Sequence, residues 1–213
     1  MKKSKFPRKP LTHFLCLVSA GDSHLTNALC DVQNAVVEQF RLPPEIRVNV
    51  KDDLHVTLMV LSLQSDEEEK YVLQVVEQSK ELGPANGIST NFNGLGRFGG
   101  QVLWARPDFP KREEYLKMLE WRNHIHRSLI EFSCDNRPWS PHATIMKTSK
   151  LRRNYRDILI TDEMAQFASD IFRKNEAFPA QAIHTVTLMS CMKDGEGRYI
   201  RRGTVSFQEA AVD

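Results

Sequence analysis

Two spacings of apolar residues take turns along the chain, one of every second residue and one of every third or fourth. THFLCLVSA (12–20), bounded by Pro10 and Gly21, has the length and content of a buried strand. SHLTNALCDVQNAVVEQF (23–40) then sets Leu25, Ala28, Leu29, Val32, Val36 and Phe40 at helical spacing. Asp22 or Ser23 is its cap, and Pro43-Pro44 lies just past its end. A strand over 54–63 follows. A helix over 65–82 opens on Ser65 or Asp66 with glutamates in its first turn, where the helix dipole favours them, and stops at Gly83-Pro84.

The segment 88–107 predicts two strands around a glycine-rich turn at Gly94 to Gly100. Its G-L-G-R-F-G-G lacks the G-K-[ST] of a phosphate loop, and no βαβ context follows to make it a dinucleotide fingerprint. A helix over 111–132, a strand over 142–147 and a helix with an acidic first turn over 161–172 come next. AIHTVTLMSCMK and GRYIRRGTVSF close the chain as a hairpin over Lys193 to Arg198. The order β-α-β-α-β-β-α-β-α-β-β predicts an α+β protein. Its two halves echo one another, so two similar lobes around a common cleft are expected, with 11–213 as a single bilobal domain.

Two of the strands carry a residue foreign to a strand core. In DDLHVTLMVLSL (52–63) the imidazole is His55; in WSPHATIMKTS (139–149) it is His142. Side chains alternate across a strand, so His55 and Thr57 share one face while Leu54, Val56 and Leu58 share the other. His142 and Thr144 likewise share a face, opposite Ala143 and Ile145. Each strand therefore buries one side and presents an imidazole and a hydroxyl from the other. Two such strands facing one another suit phosphodiester cleavage. One neutral imidazole takes a proton from the attacking hydroxyl or water, the other gives one to the leaving oxygen, and the hydroxyls donate to the phosphate oxygens. An ordinary pKa near 6.5 lets imidazole fill either role close to neutrality, with no metal or other cofactor required.

The other histidines lack this pattern. His13 and His184 have Leu15 and Val186 two residues on, His124 and His126 do not share a helix face, and His24 sits at a helix start. No third ligand stands at a spacing suited to zinc. Around the pair, Phe98 in the glycine-rich segment either stacks on a base or packs internally. Lys147, five residues past His142, falls on the opposite face by strict alternation and reaches a phosphate only where the strand end turns. Trp139 either shapes the pocket mouth or plugs the lobe.

A net charge of +2 does not by itself imply nucleic acid. MKKSKFPRKP (1–10) is nonetheless dense in lysine and arginine, and reads as a flexible basic tail, either simply solvated or suited to polyanion binding or nuclear import. Cys16, Cys30, Cys134 and Cys191 are scattered without metal-ligand spacing, and neither a secretory leader nor a bilayer-spanning run is expected. Cytoplasm, nucleus or both are the expected compartments, with no membrane partner and a monomer as the expected state.

HVTL and HATI resemble the paired H-x-[ST]-hydrophobic motifs of the 2H phosphoesterase superfamily. FNGLGRFGGQVLWARP, PHATIMKTSK and LMSCMKDGEGRYIRRGTVSF further resemble the 2H domains of A-kinase anchoring protein 7 and its relatives, over about 10–207. The resemblance implies a bilobal, pseudo-twofold fold with an open groove between two sheets. It also implies metal-independent cleavage of 2′,5′-linked oligonucleotides such as 2′,5′-oligoadenylate, or of 2′,3′-cyclic phosphates. His55 and His142 become the acid/base pair, Thr57 and Thr144 the phosphate-holding hydroxyls, and Phe98 and Lys147 the candidate substrate contacts. Short RNA or oligoadenylate is the expected substrate; binding of an AMP-like nucleotide without catalysis, or cleavage of 3′,5′-linked RNA, is the alternative. The anchoring protein carries a kinase-binding helix after this domain, whereas this chain ends SFQEAAVD, so kinase anchoring is not expected.

Overall fold

The computed structural model describes residues 9–18, 23–85, 87–135, 138–151, 157–174 and 180–207. The basic run at 1–8 and the candidate cap Asp22 lie outside the described residues. In chain order the elements are β1 (His13–Val18), α1 (Ser23–Gln39), α2 (Val50–Asp53), β2 (His55–Leu61), α3 (Asp66–Gln78), β3 (Ile88–Phe98), β4 (Val102–Asp108), α4 (Arg112–Ser128), β5 (Ala143–Lys147), α5 (Asp162–Phe172), β6 (Gln181–Ile183), β7 (Thr185–Lys193) and β8 (Tyr199–Ser206). Ser65 caps α3 by accepting from the Glu68 N–H, and Thr161 caps α5 by accepting from that of Met164. Ser65 is among the caps the sequence offers; for α5 the sequence offers only the acidic first turn, not Thr161. The first helix, however, already includes Ser23.

Among the described residues the strands form two four-stranded antiparallel sheets, ordered β2-β1-β7-β8 and β5-β4-β3-β6. This is the expected α+β architecture, but the lobes are not the two halves of the chain. The C-terminal hairpin returns to pair with β1, so the first sheet draws on both ends of the sequence. The run AIHTVTLMSCMK is correspondingly two strands rather than one. Gln181–Ile183 pairs with β3 in the second sheet, and after His184 the chain crosses into the first. Helices α1 and α5 pack on the second sheet, α3 lies against β8, and α4 against β3.

The glycine-rich segment also departs from expectation. Strand β3 runs on through Gly94 and Gly96, and the turn falls at Gly99, whose φ of 52° suits glycine. Gly94 sits where the β3–β4 register slips, at a φ of 135°, and Gly96 lies under the indole of its cross-strand partner Trp104. These glycines serve a bulge and a close approach, not a turn.

One continuous apolar cluster joins the inner faces of both sheets and the helices, with Leu15, Leu17, Leu29, Leu61, Leu103, Trp121 and Ile145 each at most 1% exposed. A small second cluster of Phe14, Cys16 and Met189, with Val60, Cys191 and Tyr199 packed on it, covers the other face of the first sheet.

Candidate active site

Strands β2 and β5 are the edge strands of their sheets and lie against one another. Each begins at a histidine motif, and each is held in the same way. The Nδ1 of His55 bonds the carbonyl of Asp53 at 2.5 Å, and the Nδ1 of His142 bonds the carbonyl of Ser140 at 2.8 Å. A carbonyl only accepts, so Nδ1 carries the proton in both rings and Nε2 is left to gain or lose one. Neither Nε2 has a hydrogen-bond partner among the described residues, and neither do the hydroxyls of Thr57 and Thr144.

Burial is the first cause holding each imidazole below its ordinary pKa near 6.5. For His55 the bond to the Asp53 carbonyl and the Asp53 carboxylate oppose it, while positive charge on His142 or Lys193 adds to it. For His142 the bond to Ser140 opposes it and Lys147 adds to it. The two rings are thus near enough for a proton on one to be felt by the other. Both are neutral at pH 7 in the free protein.

Both strands are also bulged one residue after the threonine. In β2 the pairing with β1 passes from Thr57 to Met59, skipping Leu58; in β5 the pairing with β4 passes from Thr144 to Met146, skipping Ile145. The extra residue resets the alternation. Leu58 and Met59 both enter the core, as do Ile145 and Met146, all at most 2% exposed. Val60 then turns to the face that carries Phe14 and Cys16, and Lys147 turns to the side of His142. This corrects the expectation that Lys147 points away. Its charge is felt by His142 in its own sheet and by Cys191 in the other.

The carbonyl that each bulge frees is held by a buried polar side chain from a helix. Arg122 of α4 donates its Nε to the carbonyl of Leu58 at 3.0 Å, and Gln33 of α1 donates its Nε2 to that of Ile145 at 2.6 Å. Arg122 is 8% exposed and Gln33 3%. Sequence reasoning passed over both, because an arginine or glutamine in an amphipathic helix reads as solvated.

Each imidazole also rests among aromatic rings. His55 stacks on Phe14, with ring centroids 4.9 Å apart, and meets the edge of Tyr199 at 5.7 Å. His142 meets Phe98 edge-on at 4.8 Å, and Phe98 stacks on Trp104 at 5.0 Å. Phe98 is therefore at the site, but its ring is already engaged with Trp104 on one face. Phe98, His142 and Thr57 line one cavity of about 490 Å³ together with Arg122 and Trp139. Trp139 donates its indole N–H to the carbonyl of Thr57 at 2.8 Å, linking the segment that leads into one motif to the backbone of the other. Trp139 lines the pocket and also packs against the apolar core.

His13 is buried beside Glu69 at 3.1 Å, and the Nε2 of His126 bonds Ser133, so neither belongs to the site. Among the described residues no three His, Cys, Asp or Glu side chains gather as a metal ligand set, and no helix is long and apolar enough to cross a membrane.

Residues 11–207 match the sequence profile of a family described as the AKAP7 2′5′ RNA ligase-like domain. No curated protein sequence matches the chain. Among solved structures, Escherichia coli LigT complexed with 3′-AMP is similar at 17% identity and a TM-score of 0.53, over 94% of this chain and 99% of that one. TT0787 of Thermus thermophilus aligns at 15% identity and 0.57, over 92% and 98%. Kluyveromyces marxianus Usb1 with uridine monophosphate aligns at 13% identity and 0.55, over 92% and 99%. These likenesses are of fold.

Proposed function

The chain belongs to the AKAP7 2′5′ RNA ligase-like family of 2H phosphoesterases, and from that membership we propose that it cleaves 2′,5′-oligoadenylate or similar short 2′,5′-linked RNA, with His55 and His142 as a metal-independent acid/base pair. The observation that carries this reading is the matched anchoring of the two imidazoles. Each donates Nδ1–H to the carbonyl two residues before it, so each has only Nε2 free for chemistry.

In the proposed reaction the phosphate of the scissile linkage sits between the rings. The neutral imidazole takes the proton of the attacking oxygen, either water or the neighbouring 3′-hydroxyl of the same ribose. The new P–O bond forms as the P–O5′ bond breaks, and the protonated imidazole delivers its proton to the departing O5′. Thr57 and Thr144 donate their hydroxyls to the non-bridging oxygens, and Lys147 offsets the charge that builds there. Phe98 offers its exposed edge to a base. That LigT and Usb1 are seen with 3′-AMP and uridine monophosphate agrees with a nucleotide in such a groove.

The test is a panel of adenylate trimers with 2′,5′ or 3′,5′ linkages, plus a 2′,3′-cyclic phosphate, digested in the presence of a chelator. The 2′,5′ trimer is expected to be cut, and the end group of the product identifies the attacking oxygen. A protein that binds AMP but cuts none of these is a nucleotide-binding module, and the proposal fails.

A further inference from the structure

A second cavity, of about 600 Å³, adjoins His55 without being part of the groove described above. It shares three residues with the surroundings of that imidazole. Tyr199 packs on the His55 ring, Val18 is its register partner in β1, and Asp53 supplies the carbonyl that holds Nδ1. The rest of its wall is polar. Thr185 and Thr187 come from β7, and Thr204 and Arg201 from β8, with Lys51 from α2 closing one side.

The β7–β8 pairing explains why Arg201 is there. Thr187 pairs with Thr204, Leu188 with Gly203 and Met189 with Arg201, so Arg202 is the bulged residue. Arg202 turns to α3 and pairs with Asp66 and Glu69, while Arg201 keeps the face of Met189 and Thr187. The charges around the cavity are not equivalent. Two of its carboxylates are ion-paired, Asp53 with Lys193 (and bonded by the Tyr199 N–H) and Asp194 with Arg198, while Asp52 accepts only from the neutral Asn49 amide and keeps its charge. Lys51 and Arg201, by contrast, have no carboxylate within ion-pairing distance among the described residues. Beside Asp52 this leaves two cations, one more than the unpaired carboxylate, next to the Thr185 hydroxyl and the bonded hydroxyls of Thr187 and Thr204.

A guanidinium and an ammonium flanked by hydroxyl donors suit a phosphate, with the guanidinium able to bond it bidentately. We infer that this cavity binds a second phosphate of the substrate, one nucleotide removed from the phosphate that is cut. The inference rests on the phosphodiesterase reading and names the substrate class more closely, as an oligonucleotide with a phosphate beyond the scissile linkage. Lys51 and Arg201 are its binding residues, with Thr185 and Thr204 as supporting donors.

The experiment uses 2′,5′-linked diadenylate without a terminal phosphate, with a 5′-phosphate and with a 3′-phosphate. Each has one scissile linkage. The wild-type chain is expected to prefer one phosphorylated form in kcat/KM. Arg201→Ala and Lys51→Ala are each expected to lower that preference by about tenfold, the scale of one charge-assisted contact, and Arg201→Lys is expected to restore part of it. A preference that survives in both alanine variants, or no preference in the wild type, overturns the inference. A second arm needs no cleavage and so separates this failure from failure of the catalytic reading. Calorimetric titration is expected to show adenosine 3′,5′-bisphosphate binding more tightly than AMP, with the margin shrinking about tenfold in Arg201→Ala. Equal shrinkage for both ligands, or none, counts against the site.

Discussion

The Nε of Arg122 and the carbonyl of Leu58 lie 3.0 Å apart, joining a buried helix side chain to the one residue of β2 that its neighbour strand skips. Gln33 does the same for Ile145 in β5. A bulge leaves a carbonyl outside the ladder, and a buried carbonyl without a donor is costly. Arg122 satisfies the Leu58 carbonyl, and Gln33 shares that of Ile145 with the Val48 N–H. The bulges in turn place Val60 on the face of Phe14 and Cys16 and Lys147 on the side of His142.

The first prediction follows from these clamps. Arg122→Met strands the Leu58 carbonyl, while Gln33→Leu removes the amide bonds to the Val48 and Ile145 carbonyls, of which that of Ile145 keeps the Val48 N–H. Each is expected to destabilise the chain by roughly 1–3 kcal/mol, the cost of losing buried hydrogen bonds. Arg122→Met also leaves Asp135, 3.7 Å from the guanidinium, without its cation. If the clamps set the strand phase, kcat falls in Gln33→Leu beyond what the unfolded fraction explains, because Lys147 and Thr144 move relative to His142. Denaturant midpoints read together with kcat at a temperature where both variants are folded check this. Unchanged kcat would assign the clamps to stability alone.

Gly96→Ala is expected to disturb His142 through two intervening rings. A Cβ at Gly96 would lie 2.5 Å from the Trp104 ring, which must then shift. Trp104 carries Phe98, and Phe98 abuts His142. The overpacking is expected to cost about 1–3 kcal/mol, which for a chain of this length lowers Tm by about 2–4 °C per kcal/mol. A thermal melt with steady-state kinetics checks both parts, and KM is expected to rise along with the loss in Tm.

The dependence on pH follows from the direction of the histidine shifts. Burial holds both His55 and His142 below 6.5, so above that pH both are neutral and the acid is missing. Well below it both are protonated and the base is missing. The bell of kcat/KM for the free enzyme is therefore expected to peak on the acid side of pH 6.5 and to fall towards pH 8. Stability moves the other way. His13, His55 and His142 all bind protons less readily folded than unfolded, burial being the first cause in each. Their contribution is complete above 6.5 and is lost as pH falls through the folded values. Urea midpoints at pH 7.5 and 5.5 are expected to show the lower stability at 5.5.

Much of this was legible in the sequence. The two H-x-T strands, the helix capped at Ser65, the acidic first turn of the helix after Thr161 and the α+β order follow from period and cap chemistry. The bulges were not, because Leu58-Met59 and Ile145-Met146 are consecutive apolar pairs that alternation reads as one residue too many. That surplus is itself the trace of the bulge, and it decides where Lys147 points. The exchange of sheets at His184 was missed because AIHTVTLMSCMK reads as one strand-like run. Gly94 and Gly96 looked like a turn because glycine serves bulges and close approaches equally well.

The most direct test of the two-imidazole account is single-turnover cleavage of the 2′,5′-linked adenylate trimer, in chelator, by His55→Ala, His142→Ala and the double variant. Acid and base serve one transition state, so each single variant is expected to lose about 10²–10⁴-fold or more in rate. The double variant is then expected to lose little beyond the worse single one, as groups that act as a unit do. A single variant that cleaves at close to the wild-type rate, or losses that multiply in the double variant, would contradict it.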